Sequence, residues 1–101
     1  MHKIVYLPVV QDDLFRALEY LTVALEAPGA AANLLDEFDK AVQQLARFPY
    51  THELYRTDRP MKDEIRKAPI KNYVLYYAVF PEYAEIRRFL YGRRDRSKGI
   101  F

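Results

Sequence analysis

The spacing of apolar and polar positions changes along the chain, and each change marks an element. His2 to Leu7 reads HKIVYL, with the β-branched and aromatic content of a short strand that Pro8 closes. From Asp12 to Glu26 the spacing becomes helical: Leu14, Leu18, Leu21 and Leu25 recur every three or four residues. Asp12 and Asp13 stand at the predicted N-terminus, where carboxylates favour the helix dipole. Ala27-Pro28-Gly29 breaks this helix, since proline cannot continue the hydrogen-bond ladder. A second helix follows. Ala31, Leu34, Leu35, Phe38, Val42 and Leu45 form one stripe, Asn33, Asp36, Glu37, Lys40, Gln43 and Gln44 fill the other side, and Phe48-Pro49 ends it. Two amphipathic helices joined by a short break predict an antiparallel hairpin whose stripe is core.

Residues Pro49 to Lys62 lose periodicity and read as a long ordered loop, packed by its own side chains if Tyr50 and Tyr55 turn inward. Strand spacing then returns. Asp63 to Ala68 is a short strand limited by Pro69. Asn72 to Phe80 has apolar or aromatic residues on both faces, as a central strand does. After the turn Pro81-Glu82-Tyr83, strict alternation would place Ile86, Arg88 and Leu90 on one face and Arg87, Phe89 and Tyr91 on the other. The expected fold is α+β: an N-terminal strand and helical hairpin packed on a small, mainly antiparallel twisted sheet. The helices would cover one face of that sheet and leave the other available.

Composition narrows this further. A chain of 101 residues, 50% hydrophobic and 30% charged, suits one domain over residues 1–101. With no cysteine and two histidines, thiol chemistry and cysteine-ligated zinc are excluded, and the expectation is a protein without metal or cofactor. No apolar run reaches the roughly 18 residues that span a bilayer, and no signal peptide is evident; the expected location is the cytoplasm. The net charge of +2 is unevenly divided. Residues 1–50 hold four Lys/Arg against seven Asp/Glu and residues 51–101 hold twelve against seven, so the halves carry −3 and +5. A basic C-terminal half predicts a face for a polyanion or an acidic partner.

The chemistry-bearing residues concentrate in that half. His52 has no neighbour in sequence that completes a catalytic pair. Arg87, Arg88, Arg93, Arg94, Arg96 and Lys98 cluster there, Gly92 lets the chain turn sharply after the last strand, and the guanidinium groups of Arg93 and Arg94 at that exit could bind phosphate. Asp95 could equally pair with one of these arginines and fix the turn.

The order strand, helix, helix, loop, three strands and the ending Tyr91-Gly92-Arg93-Arg94-Asp95 resemble the RelE/ParE superfamily, toxins of bacterial type II toxin-antitoxin modules also described as plasmid stabilisation proteins. Leu7-Pro8, Asp12-Asp13-Leu14, Asn33-Leu34-Leu35-Asp36, Phe48-Pro49-Tyr50, Tyr55, Arg66-Lys67 and Lys71-Asn72-Tyr73 carry the likeness over nearly the whole chain. The resemblance implies growth arrest, neutralised by a cognate acidic antitoxin, with either DNA gyrase or ribosome-bound mRNA as target. If the chain is a metal-independent endoribonuclease, Arg66, Arg88, Arg94 and Tyr91 are its catalytic candidates, with Lys67, Arg87, Arg93, Arg96 and Lys98 binding RNA or another target. Arg94 matches the family's arginine in the closing turn. Val74 stands where RelE-type enzymes carry arginine, Tyr91 replaces the usual histidine, and Ile100 or Phe101 falls near the position of their tail tyrosine. Those departures fit a gyrase-binding toxin, which needs no catalytic set, or a catalytically inactive toxin-like binding module.

Overall fold

The computed structural model describes residues 1–56 and 61–92. The elements are β1 (Lys3–Tyr6), α1 (Pro8–Glu19), a π-helical turn (Tyr20–Ala24), α2 (Pro28–Arg47), β2 (Ile65–Ile70), β3 (Tyr73–Val79) and β4 (Tyr83–Tyr91). The strands form one mixed sheet in the order β1-β4-β3-β2. β1 runs parallel to β4, and the other pairs are antiparallel. This is the expected α+β architecture.

Pro8 does more than close β1. Leu7 is extended (φ −71°, ψ 147°) and Pro8 opens α1, four residues before the predicted start. Proline is well suited to a first helical turn because its missing N–H would have no intrahelical partner there. Val10 therefore joins the buried stripe, and Asp13 lies well inside the helix. At the other end the helix widens: the Leu25 N–H donates to the Tyr20 carbonyl at 3.1 Å, and Glu26 takes φ 50°. The wider turn shifts the stripe, so Leu25 is 53% exposed although it was expected inside. On α2 the stripe holds except at Leu35, which is also exposed.

The helices cover one face of the sheet, where Leu34, Phe38, Val42 and Leu45 meet Leu75, Tyr77, Ile86 and Phe89. Phe38 packs edge-on against Phe89, with ring centroids 5.1 Å apart. Contrary to expectation, the opposite face is covered in part. Tyr55 lies on Tyr76 with centroids 5.3 Å apart, and Ile65, Ala78 and Leu90 complete a second buried cluster. The loop thus packs through its own side chains. Pro69 does not end β2, which continues to Ile70. β2 is an edge strand, and Ile65 and Lys67 direct their backbone groups outward to Tyr55 and Glu53. Pro69, two residues further, faces the same way and removes no ladder bond.

The strict alternation expected of β4 fails at one point. Tyr76 pairs with Arg88 but Tyr77 pairs with Ile86, so Arg87 is the extra residue of a β-bulge. Consequently Ile86 and Phe89 both face the helices, while Leu90 joins the opposite cluster. The bulge is held from α1. Asp13, 5% exposed, accepts from Arg88 Nε at 2.8 Å, Arg88 Nη2 at 3.0 Å and the Phe89 N–H at 3.0 Å. Its carboxylate occupies the flank of β4 beyond the last β1 pair, Tyr6 with Ile86.

Asp13→Ala leaves a half-buried guanidinium and a buried N–H without their acceptor, and should lower the unfolding free energy by about 3 kcal/mol in chemical denaturation. Removing both charges, Asp13→Leu with Arg88→Met, should cost less than Asp13→Ala alone. A larger loss in the double variant would show that the pair does not act as a desolvated unit.

Candidate target-binding surface

The basic residues singled out by sequence do not converge on one point. Arg66 is half-buried beside the loop that leaves α2. Its Nη1 donates to the His52 carbonyl at 2.7 Å and the Tyr50 carbonyl at 3.4 Å, and its guanidinium carbon lies 5.2 Å from the Tyr50 ring centroid. Arg88 is bound by Asp13 on the other side of β3. Arg87 bridges Asp63 through Nη2 and Glu85 through Nε, both at 2.9 Å. Lys67 Nζ lies 3.6 Å from Glu53, in an exposed pair that adds little stability.

Tyr91 is 43% exposed at the end of β4, edge-on to Tyr73, which itself stacks on Phe89. Val74 lies on the face away from the helices, packed against the Tyr55 cluster. Gly92 donates its N–H to the Asn72 carbonyl at 2.7 Å, and a Cβ there would come within 3.0 Å of that oxygen. The chain therefore leaves the sheet in close backbone contact with the β2–β3 turn. Arg93, Arg94, Asp95, Arg96 and Lys98 lie outside the described residues, as do Ile100 and Phe101.

One cluster was not anticipated. The Tyr77 hydroxyl donates to the Pro49 carbonyl at 2.8 Å and lies 3.1 Å from His52 Nδ1. Having given its proton to Pro49, the hydroxyl accepts from Nδ1–H, which fixes the imidazole tautomer. Burial raises the Tyr77 pKa to about 12, with the nearby Arg66 charge opposing the shift in part. Burial, and then Arg66, lower the pKa of His52. His52 has no neighbour in sequence that completes a pair; the fold supplies Tyr77 and Arg66 from β3 and β2. A buried tyrosine hydroxyl requires a partner, but nothing local in the sequence indicates which. The ring and cation pin the Pro49–His52 segment to the sheet.

The model for the ParE toxin of type II toxin-antitoxin systems, parDE, matches residues 4–96. With two helices on a four-stranded mixed sheet, the chain belongs to this family of toxins. It is similar in fold to a solved chain from the chromosomal ParDE TA system of P. aeruginosa. That match has a TM-score of 0.71 and 15% identity, and covers 90% of this chain and 96% of the other. No curated protein matches the chain by sequence. Among the described residues, no helix is long and apolar enough to cross a membrane.

The folded state holds His52 below its ordinary value, so the unfolded chain takes up that proton first as pH falls. Its contribution to stability is complete above about pH 6.5 and is lost as pH drops below that value towards the folded pKa. The urea midpoint should decline as pH falls below about 6.5, and His52→Gln should remove that part of the decline. An unchanged profile in the variant would reject His52 as its source.

Proposed function

We propose that this ParE-family toxin arrests growth by binding DNA gyrase rather than by cutting RNA, and that a cognate acidic antitoxin neutralises it. The carrying observation is the engagement of the arginines that a ribonuclease would need. Cleavage by 2′-hydroxyl attack requires a positioned base or acid and cations free to meet the phosphate as charge develops. Arg66 is committed to two loop carbonyls and the Tyr50 ring, and Arg88 to the carboxylate of Asp13. His52, beside Arg66, is tied to Tyr77. Each is more useful to the fold than to a reaction. The apolar Val74 on the face opposite the helices points the same way.

Target contact then falls to residues that can be spared by the core. Tyr91, exposed beyond the Tyr73 ring, is the described member of this set, and Arg93 and Arg94 follow directly in sequence. Arg96 and Lys98 extend the same basic run, whereas Lys67 and Arg87 on the sheet are already paired with Glu53 and with Asp63 and Glu85.

Purified toxin should inhibit supercoiling by gyrase while leaving mRNA intact in a reconstituted translation reaction. Transcripts cut within codons, with gyrase unaffected, would reverse the assignment. Replacing Arg93 and Arg94 together by alanine should weaken gyrase inhibition by about tenfold or more. Antitoxin affinity should fall as salt rises from about 50 to 500 mM, since exposed charges are screened over shorter distances; a flat response in a binding titration would remove the electrostatic part of this reading.

A further inference from the structure

Between α1 and the exit of β4 lies an open cavity of about 200 Å³, lined by Arg16 and Ala17 of the helix and by Tyr73, Phe89 and Tyr91 of the sheet. Its aromatic side is fixed by the strands. Tyr73 and Tyr91 are opposite one another in the β3–β4 register, Tyr73 stacks on Phe89 with centroids 5.1 Å apart, and Tyr91 meets Tyr73 edge-on at 5.5 Å. A third tyrosine comes from the helix. Tyr20 is exposed where α1 gives way to the π-helical turn, and burial, then the phenols of Tyr20 and Tyr91, raise the Tyr73 pKa. Single π-helical turns are frequent at functional sites. Because Asp13 and Arg88 fasten α1 to β4, both sides of the cluster are in place before a partner arrives, which lowers the ordering cost of binding.

The cavity also carries an uncompensated charge. Arg16 is exposed and has no ion pair among the described residues. Both oxygens of Asp13, one turn earlier, are engaged by Arg88 and the Phe89 N–H. Asp12 and Glu19 share the helix with Arg16 and form no ion pair with it. Tyrosine and arginine are the residues on which protein interfaces concentrate their energy.

We propose that Arg16, Tyr20, Tyr73 and Tyr91 form the contact for the protein that the toxin inhibits, with Arg16 taking a carboxylate from an exposed acidic segment of that protein. This surface rests on the assignment of target contact to Tyr91 and extends it from the sheet exit onto α1. The phenol hydroxyls can donate to the same carboxylate, and the rings suit its apolar neighbours. A nucleic-acid strand is a poorer occupant. Strand-binding grooves carry a row of cations, whereas Arg16 is the one cation among the described residues lining the cavity, with Asp12 and Glu19 on the same helix.

The test uses the full-length toxin with gyrase and with purified antitoxin. Arg16→Glu and Tyr20→Ala should each raise the toxin concentration that inhibits supercoiling at least about tenfold, and Arg16→Lys by less than about threefold. Antitoxin affinity should be unchanged in all three. Lys62→Glu, the same charge change at an exposed residue elsewhere, should inhibit like the original chain. If the original toxin does not inhibit gyrase, the gyrase reading fails by itself; growth arrest on induced expression then replaces it, and Arg16→Glu must relieve arrest while still binding antitoxin. Full potency in Arg16→Glu, equal loss with Arg16→Lys, or a matching loss of antitoxin affinity would overturn the proposal. Binding of a single-stranded oligonucleotide that Arg16→Glu removes would assign the cavity to nucleic acid and overturn it as well. Should Arg16→Glu lower the urea midpoint, Arg16→Gln against Arg16→Lys decides on the same readouts.

Discussion

The buried carboxylate of Asp13 holds together three features that would otherwise be independent. It joins α1 to β4, neutralises a guanidinium that would be costly to leave half-buried alone, and accepts the Phe89 N–H on the flank of β4 where β1 has ended. A buried charge is tolerated when it is paired and its remaining acceptor positions are filled, and here both conditions are met by adjacent residues of one strand. The arrangement fixes the phase of β4. With Phe89 turned towards Phe38 and Leu90 turned away, one strand contributes to cores on both sides of the sheet.

Those two cores have different makers. The hairpin builds the larger one through aliphatic stripes, and the loop after α2 builds the smaller one through Tyr55 and its contact with Tyr76. The same loop is tied at its start by Tyr77, His52 and Arg66, so its described residues are secured at several points. This explains how a connection of that length can exist in a small domain. It also shows why basic residues near one another in sequence do not form one site: adjacent positions on a strand serve different sides of the molecule. Arg66 braces the loop, whereas half-buried Lys67, on the opposite face of β2, lies beside Glu53.

Much of the fold was legible because apolar spacing is a long-range average. The stripe through Leu34, Phe38, Val42 and Leu45 and the two-sided apolar strand β3 survive the shift of any one residue. The misreadings share a cause. Pro8 was read as a terminator although proline equally begins helices, and Pro69 was read as a strand end although an edge strand can hold it facing outward. Asp12 and Asp13 are indistinguishable locally; only the tertiary position of Arg88 separates a solvent-facing carboxylate from a buried one. The bulge was invisible for a similar reason, because Arg87-Arg88 offers no hydrophobic asymmetry to reveal an added residue. Of the candidate site, the residue types were legible and their partners were not, since each partner lies far away in sequence.

β4 lies inside the sheet although every other strand precedes it in the chain, and it pairs with both the first strand and β3. Until it emerges, β1 has no neighbour in the sheet, Asp13 has no counter-charge, and the stripe of α2 lacks the Phe89 ring. Contacts that close such long intervals carry a large entropic cost before they return any stabilisation. Assembly of the sheet therefore waits on β4: a chain that lacks this strand has neither the finished sheet nor the Tyr91 exit.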